Sequence, residues 1–163
     1  MVAAESSGED SYQLSRPTQP HEWQAYHAIR QSVHFEDADA AELPADQDED
    51  LTPGNYPLLL WLNGVPVGAI RIDSLDGGGA AFRLVAIHPD SQGQGHGRAL
   101  LREAEAFARA IGCRKAVIYS TMEAAGFYAS AGYAEDEWDE QYFGGVVLMS
   151  KPLQYSGFDP RDA

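Results

Sequence analysis

The chain has 163 residues, a length typical of one domain with a substantial core. Its 25 acidic and 11 basic side chains give a formal net charge of -14 at pH 7, which would repel a phosphate backbone, so we expect no nucleic-acid partner. The only cysteine, Cys113, cannot form an intrachain disulfide, and we interpret it as a small buried side chain. Because neither a signal peptide nor a long apolar run is visible, we expect a cytoplasmic protein without membrane contact.

The two ends of the chain are polar and lack a periodic apolar pattern, so residues 1–11 and 154–163 are predicted to be flexible tails around one domain, residues 12–153. Apolar side chains recur at steps of three and four over residues 21–35, which predicts a first helix. The following segment, residues 36–50, holds eight acids and is predicted to be a loop or a short helix. It is compatible both with a solvated loop and with a rim that attracts cations.

Strands and helices then alternate along the chain. Residues 58–62 and 65–73 flank Asn63 and Gly64, the preferred pair for a tight hairpin turn. Residues 80–87 form a largely apolar third strand, and residues 98–111 carry one apolar stripe, which predicts a long helix. A strand over 116–119, a helix over 122–131 and a strand over 146–150 complete an α/β fold, a mixed sheet covered by helices.

A glycine-rich segment, residues 88–98, lies between the third strand and the long helix. Glycines there allow a ligand to approach the main chain, and the amides at a helix start are unpaired and carry positive dipole character. This pattern favours binding of a phosphate or pyrophosphate, although glycines in turns also have purely steric reasons. The spacing matches neither the dinucleotide fingerprint nor the phosphate loop of kinases.

The motifs resemble those of the GNAT superfamily of N-acetyltransferases. Gln92, Gly95 and Gly97 fit its Gln/Arg-x-x-Gly-x-Gly/Ala motif between the fourth strand and the next helix. Residues 125–128, Ala-Gly-Phe-Tyr, followed by residues 131–133, Ala-Gly-Tyr, resemble its second motif, A-x-x-F-Y-x-x-x-G-F. The resemblance extends over residues 23–153 and implies a mostly antiparallel mixed sheet with a splayed cleft between the fourth and fifth strands.

The resemblance implies an acetyltransferase that moves an acetyl group from acetyl-CoA to a primary amine in a ternary complex, without a metal. It implies that Tyr128 donates a proton to the departing thiolate, whereas the helical pattern alone would make this residue a core aromatic. The resemblance places two acidic segments, residues 36–50 and residues 135–140, at the acceptor cleft, so we expect a cationic small molecule or peptide as acceptor. The implied coenzyme A contacts are Val85, Ala86, Ile87, Gln92, Gly93, Gln94, Gly95, His96, Gly97, Arg98, Ser120 and Thr121.

Two features depart from the family pattern. Many relatives carry a glutamate base on the fourth or fifth strand, and no glutamate appears there in this chain. Many also carry an asparagine before the tyrosine helix, a position that falls here on Ser120 or Thr121. The missing base motivates an alternative function, a catalytically silent acyl-CoA-binding sensor or regulatory module. His88 is interpreted as a turn residue. Acceptor, acyl-chain length and oligomeric state stay open, and a homodimer is compatible with the sequence. Candidate bases, each also explained as a surface charge or helix cap, are Asp73, Glu123, His34 and Glu36.

Overall fold

Seven strands form one mixed sheet in the computed structural model, which describes residues 11–34, 50–139 and 146–153. The strand order is β1-β2-β3-β4-β5-β7-β6, and every neighbouring pair is antiparallel except β4 and β5, which are parallel. The strands are β1 Tyr12–Ser15, β2 Asn55–Leu62, β3 Val65–Ser74, β4 Gly79–Ile87, β5 Lys115–Ser120, β6 Ala134–Asp139 and β7 Val146–Pro152. The helices are α1 Pro20–His34, α2 His96–Ala110 and α3 Ala125–Ser130.

The sheet separates two apolar clusters. On one face, the stripe of α2 packs on alternate residues of the central strands, such as Ile70, Ile72 and Phe82, in the larger cluster. On the other face, Tyr26 and Ile29 of α1 pack on Leu59, Ala69 and Ala86 in a smaller cluster. The mixed α/β fold expected from the sequence is therefore confirmed.

The predicted hairpin is present between β2 and β3. Asn63 and Gly64 have φ angles of 51° and 87°, the two positive values that the preferred two-residue turn requires. The predicted first helix starts at Pro20, where Glu22 accepts hydrogen bonds from the amides of Thr18 and Gln19 at 2.6 and 3.2 Å. These bonds lower the pKa of Glu22 and satisfy amides that the helix leaves unpaired.

Two strands, β1 and β6, were not predicted from the sequence, and both lie at edges of the sheet. β1 has only four residues and pairs with β2 alone. β6, with the sequence AEDEWD, was counted as part of an acidic cluster rather than as a strand. Charged residues suit an edge strand, because they discourage pairing with a further chain. Acidic residues therefore do not exclude a strand at this position.

Asp50 corrects the interpretation of the acidic segment. Both interpretations of residues 36–50, a solvated loop and a rim that attracts cations, place Asp50 at the surface. Its side chain is instead 1% exposed, and its carboxylate contacts Arg30 at 2.7 Å and Arg71 at 3.5 Å. Cys113 is buried as expected. Residues 1–10 and 154–163 of the predicted tails and residues 35–49, with the proposed loop or short helix, lie outside the described residues. Ser11, which we placed in the first tail, is hydrogen-bonded to Asn63 at 3.0 and 3.1 Å. No helix in the described part of the chain is long and apolar enough to span a membrane.

Candidate active site

A cleft opens in the middle of the sheet, where β4 and β5 separate. Their pairing is limited to three residues of each strand, from Gly79 with Lys115 to Ala81 with Val117. Beyond that point no described residue of β4 pairs with one of β5, while β4 continues beside β3 and β5 beside β7. Two strand edges therefore face each other across a gap, as the predicted splayed cleft requires.

An irregularity in β4 lies beside this gap. Ala69 pairs with Ala86 and Arg71 with Arg83, so β4 has one more residue than β3 between these pairs. The extra residue allows Leu84 to adopt a φ of 58°, which is unusual for a side chain of this kind. A bulge bends the strand and redirects its main-chain groups, and bulges occur often beside active sites. No signal in the sequence marks Leu84, and it is not among the predicted site residues.

The turn that follows β4 presents a series of unpaired amides. Pro89–Ser91 form one turn of 3-10 helix, and α2 begins at His96 with Gly95 as its N-terminal cap. Six consecutive main-chain N–H groups, from Gly93 to Arg98, donate no hydrogen bond to any described residue. Such groups at a helix N-terminus form a favourable site for a phosphate or another anion.

The three glycines of this turn have different roles. Gly93 and Gly95 have φ angles of 77° and 87°, and a Cβ on either would meet no atom within 4 Å, so the space above them is open. A Cβ on Gly97 would lie 3.0 Å from the ring of Phe127. Gly97 therefore allows α3 to pack against α2, whereas Gly93 and Gly95 provide the tight turn and the open approach.

Side chains in the same turn bond mainly within the protein. The Gln92 amide donates to the carbonyl of Ile87 at 3.1 Å, and that of Gln94 to the carbonyl of Asp90 at 3.4 Å. His96 is buried, with Nδ1 2.7 Å from the Tyr12 hydroxyl. Any ligand contact of these residues is therefore expected to use the main chain. His88 accepts a hydrogen bond from the Asp90 amide, which confirms it as a turn residue.

The remaining predicted contacts, Ser120 and Thr121, form the turn between β5 and α3. The Ser120 hydroxyl is buried and donates to the carbonyl of Thr121 at 2.6 Å. The Thr121 hydroxyl accepts a hydrogen bond from the amide of Ala124 at 3.1 Å. These bonds fix the start of α3, so both side chains have a structural partner.

Tyr128 lies in α3 beside the first turn of α2. Its side chain is 8% exposed, and burial raises its pKa to about 12, so the phenol stays protonated at neutral pH. Its hydroxyl makes no hydrogen bond to a described residue. A buried phenol whose oxygen lacks a protein partner can donate its proton to a ligand.

Three contacts hold α3 in this position. Arg98 donates to the carbonyl and the hydroxyl of Ser130 at 3.2 and 2.7 Å, and Phe127 packs on Gly97. The Tyr133 amide donates to the carbonyl of Tyr128 at 3.0 Å. The helix that carries Tyr128 is thus attached at both ends to its surroundings, which limits where the phenol can lie.

Tyr133 is in turn part of a buried polar cluster. Its hydroxyl donates to Glu105 of α2 at 2.8 Å, and Lys151 of β7 donates to the same carboxylate at 3.0 Å. Burial, followed by the charge of Glu105, raises the pKa of Tyr133. This cluster connects α2, β7 and the turn after α3.

The candidate bases receive no support from their contacts. Both oxygens of Asp73 accept hydrogen bonds from Arg71, at 2.8 and 3.0 Å, and the residue is buried rather than at the surface as we interpreted it. Glu123 is exposed in the turn before α3. The side chain of His34 and all of Glu36 lie outside the described part of the chain.

Comparison with known proteins identifies the family of this chain. The family model described as "Acetyltransferase (GNAT) family" matches residues 12–133. The chain belongs to the GNAT family and is an acetyl-CoA-dependent N-acetyltransferase. No curated protein matches the chain in sequence.

Solved structures share this fold over nearly all of the chain. A putative N-acetyltransferase from Lactobacillus plantarum is 27% identical, with a TM-score of 0.71 over 89% of this chain and 99% of its own. A putative GNAT acetyltransferase from Desulfovibrio desulfuricans is 19% identical, with a TM-score of 0.74 over 88% and 100%. An aminoglycoside 6'-N-acetyltransferase complexed with coenzyme A is 12% identical, with a TM-score of 0.77 over 91% and 99%.

Proposed function

We propose that the chain transfers the acetyl group of acetyl-CoA directly to a primary amine bound in the same cleft. The observation that carries the proposal is the row of six unpaired amides from Gly93 to Arg98, beneath the open space at Gly93 and Gly95. The pyrophosphate of coenzyme A fits such a site in charge and in its need for donors. A solved neighbour of the same fold is described as complexed with coenzyme A, which supports this choice of ligand.

The open edge of β4 is the proposed site for the extended arm of the same molecule. An extended ligand can pair with a strand edge through main-chain hydrogen bonds, which demand little of the side chains. This explains why apolar residues such as Val85, Ala86 and Ile87 suffice there. The bulge at Leu84 lies beside the gap, and a main-chain amide of this part of β4 is proposed to stabilise negative charge on the reacting carbonyl oxygen.

Tyr128 is the proposed proton donor. The nitrogen of the neutral amine attacks the thioester carbonyl carbon of acetyl-CoA, and the C–S bond breaks to release the thiolate. The proton that the nitrogen loses as the amide forms passes to solvent. A thiol with pKa near 8.5 is a stronger acid than a phenol whose pKa is about 12, so complete transfer from Tyr128 is uphill. The phenol is therefore proposed to stabilise the leaving thiolate by donating a hydrogen bond, with solvent able to complete the protonation.

The amine must lose its ammonium proton before it attacks. The described carboxylates on the α1 face of the sheet, Asp50 and Asp73, are both paired with arginines, so neither is proposed as the base. We propose that water in the open cleft accepts this proton. The rate constant at low amine concentration should then rise with pH in proportion to the neutral fraction of the amine.

Release of free thiol from acetyl-CoA across a panel of primary amines tests the proposal. We expect amine-dependent thiol release together with an acetylated amine that mass spectrometry detects. Tight binding of acetyl-CoA with no amine-dependent thiol from any member of the panel would contradict transfer and favour the sensor function. The acidic character of the chain makes ammonium compounds a suitable start for the panel, since a net charge of -14 attracts cations.

A further inference from the structure

A chain of buried ion pairs lies between α1 and the sheet. Arg30 contacts Asp50 at 2.7 Å, Asp50 contacts Arg71 at 3.5 Å, and Arg71 contacts Asp73 at 2.8 Å. All four residues are buried, and the Asp73 side chain is the most exposed of them at 12%. Positive and negative side chains therefore alternate through this group.

Arg83 is a fifth charged side chain beside this group, and the third positive one. It is the cross-strand partner of Arg71, so its side chain lies on the same face of the sheet. Its Nε is 3.7 Å from an oxygen of Asp73 that already accepts a hydrogen bond from Arg71 at 3.0 Å. No second acidic group in the described chain pairs with Arg83, and its side chain is 49% exposed.

The contact with Asp73 is long and leaves the guanidinium largely available. The distance of 3.7 Å from Nε exceeds hydrogen-bond length, and the Arg83 side chain makes no hydrogen bond to a described residue. A guanidinium can offer two parallel N–H groups, the geometry that matches a carboxylate. Arg83 therefore has the charge, the exposure and the free donors of a receptor for an anionic group.

The position of Arg83 places this receptor beside the reacting group. The last pair between β4 and β5 is Ala81 with Val117, and Arg83 follows two residues later, at the closed end of the cleft. A ligand that starts at the amides of the glycine turn and runs back along β4 ends near this point. Phe82, on the opposite face, is buried in the larger apolar cluster, so the second substrate has its approach on the face that carries Arg83.

We propose that Arg83 binds a carboxylate on the acceptor, and hence that the acceptor is an amine carrying a carboxylate, such as an amino acid or the terminal part of a peptide. The inference rests on the proposed function and narrows its acceptor. Arg83 disfavours a simple polyamine at the closed end of the cleft, because a cation with only a long contact to Asp73 would repel a second ammonium near the reacting amine.

Matched pairs of acceptors test this inference. Each pair consists of an amino acid and its primary amide, which lacks the carboxylate. The value of kcat/KM is calculated for the neutral form of each amine, so that differences in amine pKa do not enter the comparison. We expect the wild-type enzyme to prefer the carboxylate by roughly 10- to 100-fold, as one bidentate charged contact allows. Arg83→Gln should reduce this preference to about twofold or less, and Arg83→Lys should keep part of it, since a lysine retains the charge without the fork.

Arg102→Gln is the matched control, because it removes the same charge from an exposed position of α2. It should leave the preference unchanged, and all three variants should keep the KM for acetyl-CoA. Equal rates for both members of each pair, or a preference that survives Arg83→Gln, would overturn the role of Arg83 while leaving the transfer reaction intact. No transfer to any amine, with or without a carboxylate, would overturn the proposed function and this inference together.

Discussion

The ring of Phe127 occupies the space where a side chain on Gly97 would lie, 3.0 Å from the position of its Cβ. This contact attaches the helix of the proposed proton donor to the helix whose amides form the proposed pyrophosphate site. Binding and proton donation therefore depend on one close approach between α2 and α3.

Gly97→Ala should push Phe127 outward and displace α3. We expect a loss of about 1 kcal/mol in the free energy of unfolding, measured by urea titration, together with a lower kcat, because the added methyl group displaces Phe127 and the helix that carries it. Gly126→Ala is the matched control. A Cβ there meets nothing within 4 Å, so helix propensity should make this variant as stable as the wild type or slightly more so. Equal stability of both variants would argue against the contact.

Tyr128→Phe should retain the buried ring and lose the hydroxyl. We expect kcat to fall by about 100-fold, a typical contribution of a positioned acid, with the KM for acetyl-CoA within about threefold. Tyr133→Phe removes a hydroxyl that donates to Glu105 inside the protein, so it should lower thermal stability and leave kcat within about threefold. A Tyr128→Phe variant with unchanged kcat would eliminate the role of the phenol.

Much of the fold and the glycine turn could be predicted from the sequence, because turn residues and apolar periodicity are signals carried by neighbouring residues. The Asn63-Gly64 turn, the stripe of α2 and the glycine turn each have a signal within a few residues. The bulge at Leu84 has no such signal, since it arises from the register between β3 and β4.

Asp50 and β6 show why composition misled. Asp50 follows a run of acids in sequence, yet two arginines from α1 and β3 make its burial possible, and neither is near it along the chain. β6 consists of residues that disfavour strands, but it lies at an edge and pairs with β7. Both outcomes depend on tertiary partners that local pattern does not contain.

Asp50→Asn should destabilise the fold strongly. It keeps the shape of the side chain but removes the negative charge that contacts Arg30 and Arg71, and the loss of one member of a buried ion pair typically costs about 3–5 kcal/mol. Asp76→Asn, in the exposed turn after β3, removes the same charge and should change stability by less than about 0.5 kcal/mol. Urea midpoints of the two variants give the comparison. Similar midpoints would indicate that the ion pairs contribute little.

The stability of the protein should fall at alkaline pH. Burial raises the pKa of Tyr128 to about 12, and the pKa values of Tyr26 and Tyr133 are also raised, first by burial. Above about pH 10 the unfolded chain releases these phenolic protons while the folded chain retains them, so the free energy of unfolding decreases as pH rises toward 12. Denaturant titrations between pH 9 and 11.5 measure this slope, which Tyr128→Phe should reduce. A pH-independent stability in this range would contradict the burial of the phenols.

The most direct measurement is the affinity for coenzyme A when a charge is placed at Gly95. Gly95 and Gly112 lie just outside opposite ends of α2, with φ angles of 87° and 96° and nothing within 4 Å of a Cβ, so a glutamate causes comparable backbone strain at both. Calorimetric titration should show at least about 100-fold weaker binding for Gly95→Glu, because the carboxylate occupies and repels the proposed pyrophosphate site, and wild-type affinity for Gly112→Glu. Wild-type affinity in a folded Gly95→Glu variant would contradict the amide site on which the account depends.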